Sequence, residues 1–133
     1  MENNLKYNTV MIVDDNKIDA ILNKKIIEKE GFAETVLVQN SASKTIDFLG
    51  SEVSVLPSLI FVDMMMPDMN GFEFLDAFEK LPSTVVGKIK IVFMSGSMLS
   101  QDQLQRISLN KNVLKFIPKP INKASLDSLL SIG

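Results

Sequence analysis

A chain of 133 residues, 46% hydrophobic and 23% charged, has the balance of one ordinary globular domain. Its 14 basic and 16 acidic side chains give a net charge of -2, with no basic excess to neutralise a phosphate backbone, so direct nucleic-acid binding is not expected. The absence of cysteine and histidine excludes disulfides, thiolate zinc sites, cysteine nucleophiles, Ser-His-Asp triads and a phosphohistidine carried by this chain.

The segment Met1 to Asn8 is polar and lacks the apolar stretch of a signal peptide. No apolar run approaches the ~20 residues that cross a bilayer. A cytoplasmic protein without membrane contact is the expectation.

The first apolar run, Thr9-Val10-Met11-Ile12-Val13, is short, continuous and rich in β-branched residues, which predicts a strand buried on both faces. Asp14-Asp15-Asn16 ends it. Ile18, Ile21, Leu22 and Ile26 then share one broad helical face, with Lys17, Lys24, Lys25 and Lys29 around it as a solvated face. Gly31 stands where a helix end wants a left-handed residue. Thr35 to Val38 predicts a second strand. Ser41 can cap a helix carrying Ala42, Ile46 and Leu49, which Gly50 ends.

Leu59-Ile60-Phe61-Val62 predicts a third strand, ending at Asp63. Asn70 followed by Glu73 is a capping-box pattern, and the helix behind it presents Phe74, Leu75, Phe78 and Leu81. Ile89 to Met94 is a fourth strand and Val113 to Ile117 a fifth. Leu104 and Ile107 mark the helix between them. Asn122 can cap a last helix with Leu126, Leu129 and Leu130 on one face.

Strands and helices thus alternate five times, with short connections and no repeat or linker. The expected fold is α/β: one doubly wound, five-stranded parallel sheet with five helices, in a single domain over residues 1–133; if the order is the flavodoxin-like 2-1-3-4-5, strands one and three are neighbours where the order reverses.

Four strands end in residues with useful chemistry. Asp14-Asp15 follow the first, Asp63 the third, Ser95 the fourth and Lys119 the fifth. Ligands of open α/β sheets bind beyond the carboxyl ends of the strands, where the strand order reverses. Three carboxylates gathered there repel one another and call for a cation. Without histidine or cysteine, an all-oxygen site suits a hard divalent ion, Mg²⁺ first. Ser95 can donate a hydrogen bond to a phosphoryl oxygen, Lys119 can supply a point charge, and a carboxylate can accept a phosphoryl group. Each residue alone has a plainer reading: Asp14-Asp15 as a helix cap, Met64 to Met66 as loop filler, Ser95-Gly96 and Lys119-Pro120 as turns. Their joint placement after four of the five strands favours the functional reading.

The run Asp63-Met64-Met65-Met66-Pro67-Asp68-Met69-Asn70-Gly71 resembles the phosphorylation loop of bacterial response-regulator receiver domains, which are CheY-like, with Asn70 as a mild variant. Asp14-Asp15 match the acidic pair of that family, Ser95 its Ser/Thr, Lys119-Pro120 its Lys-Pro, and Phe116 its switch aromatic. The resemblance spans essentially the whole chain. It implies a phosphoacceptor of two-component signalling or a phosphorelay, with Asp63 taking a phosphoryl group from a sensor histidine kinase or histidine phosphotransfer protein. It also implies Mg²⁺ held by Asp15 directly, by Asp14 largely through water, by Asp63, and by the backbone carbonyl of Met65. Ser95 and Lys119 would contact the phosphoryl group, and Phe116 would turn inward as Ser95 moves. The Lys119-Pro120 bond would be cis. The output would be a changed docking surface for a downstream protein target, around the fourth helix, fifth strand and last helix.

Such a protein catalyses only its own phosphorylation and dephosphorylation. With the chain ending at Gly133, no output domain is expected to follow. In this family, the residues two beyond the acceptor and two beyond the Ser/Thr flank the water path to the phosphoryl group; here they are Met65 and Ser97.

Two other classes are weighed. A haloacid-dehalogenase-like Mg²⁺-dependent phosphohydrolase places Asp-x-Asp after its first strand, but Asn16 holds the second position here. A phosphorylation-independent interaction module would not need the complete Asp, Asp, Asp, Ser, Lys set.

Overall fold

The computed structural model describes residues 7–51 and 55–130. The start Met1 to Lys6 and residues 131–133, which fall within the expected domain, lie outside the described residues. Along the chain run β1 (Tyr7–Val13), α1 (Lys17–Lys29), β2 (Ala33–Gln39), α2 (Ala42–Leu49), β3 (Leu59–Asp63) and α3 (Gly71–Glu79). Then come α4 (Ser83–Val86), β4 (Lys90–Ser95), α5 (Gln101–Ser108), β5 (Val113–Pro118) and α6 (Lys123–Leu130). The five strands pair in parallel, as the alternation predicts, and their order is β2-β1-β3-β4-β5, the flavodoxin-like one.

Both faces of the sheet are covered, which is why its central strands are continuous apolar runs. On one face Met11, Val13, Ile60, Val62, Ile91 and Phe93 pack against Phe74, Phe78 and Ile107 of the helices α3 and α5. On the other, Val10, Ile12, Leu59, Phe61, Val92 and Met94 pack against Ala20, Ile27, Leu126 and Leu129 of α1 and α6. Adjacent strand residues point to opposite faces, so each strand feeds both cores.

Local caps follow the sequence at most helix ends. Asn70 and Glu73 close a reciprocal capping box on α3, and Ser100 with Gln103 does the same on α5. The side-chain oxygen of Asn122 accepts the Ser125 N–H at 2.9 Å at the start of α6. Gly31 has φ 65°, and the Gly31 and Phe32 N–H groups donate to the carbonyls of Glu28 and Ile27, the double closure of a left-handed helix end.

One plainer reading falls, and two details differ from the expectations. The α1 cap is Asn16, which accepts the Asp19 N–H at 3.0 Å, leaving Asp14 and Asp15 free for the site. A sixth helical element, α4, adds a single turn after Pro82; four residues are too few to carry a periodic signal. The face of α1 is also turned. Ile18, Ile21 and Leu22 are exposed, at 70%, 54% and 51%, and Ala20, Asn23 and Ile27 are the buried set. Both sets have helical spacing, so periodicity alone leaves the choice open, and the sheet accepts the set with the small Ala20.

Candidate functional site

The register of the central strands decides what meets at the carboxyl end of the sheet. Val13 lies beside Val62, Asp63 beside Met94, and Ser95 beside Pro118. Asp14, Asp63, Ser95 and Lys119 therefore stand side by side at the carboxyl edge of four neighbouring strands. Short backbone bonds fix them there. Asp14 N–H donates to the Gln39 carbonyl at 3.0 Å, Met64 N–H to the Met94 carbonyl at 2.8 Å, and Lys119 N–H to the Ser95 carbonyl at 2.8 Å. The Lys119-Pro120 peptide is cis.

Oxygens of Asp14, Asp15 and Asp63 all lie within 4.8 Å of one another. Asp14 is fully buried, Asp63 nearly so, and Asp15 is exposed. Two loop amides restrain the buried pair. Asn16 N–H donates to Asp14 Oδ1 at 2.9 Å, and Met65 N–H donates to Asp63 Oδ1 at 3.0 Å. The ammonium of Lys119 reaches between the strands and donates to Asp14 Oδ2 and Asp63 Oδ2, each at 3.1 Å.

Electrostatics follow from this crowding. Burial pushes the Asp14 carboxyl above its ordinary range, and the Asn16 N–H and the Lys119 ammonium oppose that shift only in part. Burial also works against the Lys119 ammonium, but the hydrogen bonds it donates to Asp19, Asp63 and Asp14 outweigh it and hold the lysine charged well above its ordinary range. One ammonium does not neutralise three carboxylates. The cluster offers oxygen donors alone and keeps an excess of negative charge, so its chemistry fits a hard divalent cation such as Mg²⁺.

Ser95 is buried at the end of β4, and its hydroxyl oxygen accepts the Ser97 N–H at 3.0 Å. Phe116 sits earlier on β5, beside Phe93, half-buried against the core on the α3 and α5 side. Met65 projects into solvent, 70% exposed, from the loop after Asp63.

Residues 10–131 match the family described as the response regulator receiver domain. The chain belongs to this family. Among curated relatives, it is 32% identical to the two-component response regulator ORR11 of Oryza sativa subsp. indica over 124 residues, 92% of this chain and 78% of that protein. A solved response regulator receiver protein from Dyadobacter fermentans DSM 18053 superposes with a TM-score of 0.81 at 30% identity, covering 93% of this chain and 95% of that one. A two component response regulator from Cytophaga hutchinsonii gives a TM-score of 0.86 at 26% identity, covering 96% of each chain.

The receiver fold thus brings Asp14, Asp15, Asp63 and Lys119 into one cluster and sets Ser95 on the adjacent strand end. Sequence reasoning missed two members of the surroundings, both on α1. Asp19 Oδ2 accepts a third hydrogen bond from the Lys119 ammonium, at 3.0 Å. Asn23, one helical turn on and 1% exposed, accepts the Ile121 N–H at 3.0 Å. The available signal was a pair of short polar residues at i, i+4, one of them among apolar neighbours. Among the described residues, no helix is long and apolar enough to cross a membrane.

Proposed function

We propose that this receiver domain is a phosphoacceptor switch, in which Asp63 takes a phosphoryl group from a phosphohistidine on a sensor histidine kinase or a histidine phosphotransfer protein. The observation that carries the reading is the Lys119 ammonium shared between Asp14 and Asp63 at the mouth of a three-carboxylate cluster. Asp15, Asp63 and the Met65 carbonyl would hold Mg²⁺ directly, with Asp14 acting largely through water. Bound there, the ion offsets negative charge on the transferring group.

An oxygen of Asp63 attacks phosphorus, the P–N bond of the phosphohistidine breaks, and the imidazole nitrogen leaves with the electron pair. Met65 N–H, already on Asp63 Oδ1, orients the carboxylate. Lys119 exchanges its bond to Asp63 Oδ2 for one to a phosphoryl oxygen. The hydroxyl of Ser95 turns to donate to another. Positioning and electrostatics supply the catalysis, since the chain has no group that must carry a proton in this step.

Ser95 moving toward the phosphoryl group leaves room that Phe116 enters from β5. This is a local charge event biasing a two-state packing arrangement, read out on the surface of α5, β5 and α6 by a downstream protein target. On this reading residues 1–133 form one receiver unit working in the cytoplasm, without nucleic acid or membrane as direct partners.

The deciding experiment treats the protein with Mg²⁺ and acetyl phosphate and measures intact mass. One added phosphoryl group is expected on the wild type and none on Asp63→Asn. Equal labelling of the two would overturn the assignment. Amide NMR shifts on phosphorylation should spread from Asp63 to residues 95–107 and 113–118; shifts confined to the metal loop would mean that the switch is not coupled.

A further inference from the structure

The Lys119 ammonium has three N–H donors, and three carboxylates take them: Asp14 and Asp63 at 3.1 Å and Asp19 at 3.0 Å. Asp14 and Asp63 belong to the cluster that fits a cation, whereas Asp19 stands outside it. An ammonium and a divalent cation therefore compete for the same two buried carboxylates, and Asp19 is the partner of Lys119 that the cation does not need.

The placement of Asp19 suits that part. It lies in the first turn of α1, its own N–H tied to the Asn16 cap. Its side chain is 40% exposed, while that of Lys119 is 14% exposed, so the pair spans the boundary between the buried site and solvent. Asp19 and Lys119 line a cavity of about 300 Å³ together with Leu22, Asn23, Gly96 and Pro120. Gly96 leaves it open, since a side chain built there would meet nothing within 4 Å. The lysine head has space to move toward α1, and Asn23 holds the following Ile121 N–H, so the loop need not follow.

We propose that Asp19 is a positioning residue for Lys119: by drawing the ammonium toward α1, it lowers competition for Asp14 and Asp63 and so sets the affinity of the cluster for a divalent cation. The inference rests on the metal-binding part of the proposed function. Charge alone also predicts that removing Asp19 weakens cation binding, because one anion is lost. The proposal adds that most of the effect travels through Lys119.

A double-mutant cycle separates the two. Mg²⁺ affinity is measured by calorimetry for wild type, Asp19→Asn, Lys119→Gln and the double variant, with Asp15→Asn as the ligand control. Asp19→Asn should weaken Mg²⁺ binding by roughly five-fold, an ordinary size for coupling between sites. Lys119→Gln should tighten it, and in that background Asp19→Asn should change it less than two-fold, about the effect of one screened charge. Asp19→Glu should restore most of the wild-type affinity. If a variant is too unstable to titrate, the rise in its unfolding temperature with Mg²⁺ concentration reads the same affinity. Equal losses in both lysine backgrounds, or no loss in the wild-type background, overturn the role of Asp19 while leaving the metal site intact. An Asp15→Asn variant that binds Mg²⁺ as tightly as the wild type overturns the metal site itself, and the proposal with it.

Discussion

The side-chain carbonyl of Asn23 accepts the backbone N–H of Ile121 at 3.0 Å, joining α1 to the loop that follows Lys119. Both residues are 1% exposed, so no water is at hand to replace the bond. Asn23→Leu keeps the branched outline of the side chain and leaves the Ile121 N–H unsatisfied. A buried unmet donor costs about 1–3 kcal/mol. Urea unfolding should show a midpoint lowered accordingly with an unchanged slope. An unchanged midpoint would mean that the loop finds another acceptor.

Gly71 opens α3 directly beneath the acceptor loop. A Cβ built there would press on the Met64 sulfur and stand 3.0 Å from Phe93 Cε1. The thioether is adaptable, but both neighbours are buried, so one of them must shift. Gly71→Ala should destabilise the fold by about 1–3 kcal/mol, the usual range for overpacking. The displaced Met64 adjoins Asp63, so acetyl phosphate labelling should slow as well. Thermal unfolding and labelling rate check the two effects separately.

Asp68 ties the acceptor loop to the start of α2. Its Oδ2 accepts from Ser43 N–H at 3.0 Å, from Ser41 Oγ at 3.0 Å and from Ser43 Oγ at 3.2 Å. Slight burial raises this carboxyl, and the hydrogen bonds from Ser43 and Ser41 outweigh that and hold it below the usual carboxylate range. A depressed carboxyl stabilises the fold above its unfolded value of about 3.9 and loses that contribution as pH falls through its folded value. The group is exposed, so the contribution is under about 1 kcal/mol. The stability gap between wild type and Asp68→Asn should be constant from pH 7 to about 5 and close below pH 4. A gap that persists unchanged at pH 2 would mean that the carboxylate charge plays no part.

Met65 and Ser97 are both exposed beside the site. Neither offers what holding a water for attack on phosphorylated Asp63 requires: Met65 has no useful donor or acceptor, and Ser97 is short. Phosphate loss from this receiver should therefore be slow. Met65→Asn with Ser97→Glu should accelerate it by on the order of tenfold, since orientation of the nucleophile is a large part of the rate. Mg²⁺ affinity should not fall, since on the proposed reading Met65 would contribute only its backbone carbonyl and Ser97→Glu adds an anion beside the cluster. Single-turnover decay of labelled protein tests this, and a wild-type rate as fast as the double variant's would refute it.

The strand runs, the helix stop at Gly31, the helix start at Asn70, and the placement of Asp14, Asp63, Ser95 and Lys119 were all legible in the sequence. Each rests on local chemistry: a short, continuous, β-branched-rich apolar run bounded by polar residues favours a buried strand, and the polar residue after it falls at the strand's carboxyl end. The parallel sheet was legible as well, because strands alternating with helices leave few ways to wind them; its order 2-1-3-4-5 came with the resemblance to receiver domains and not from the pattern. Tertiary structure decided what local pattern left degenerate. The two candidate faces of α1 have the same period, and only packing against the sheet selected Ala20, Asn23 and Ile27 over Ile18, Ile21 and Leu22. Asp19 meets Lys119 across 100 residues of chain, and Asn23 meets Ile121 across 98. No spacing rule reaches so far; strand order and the turn of α1 place these groups together, and the demand that buried donors and charges be paired holds them there.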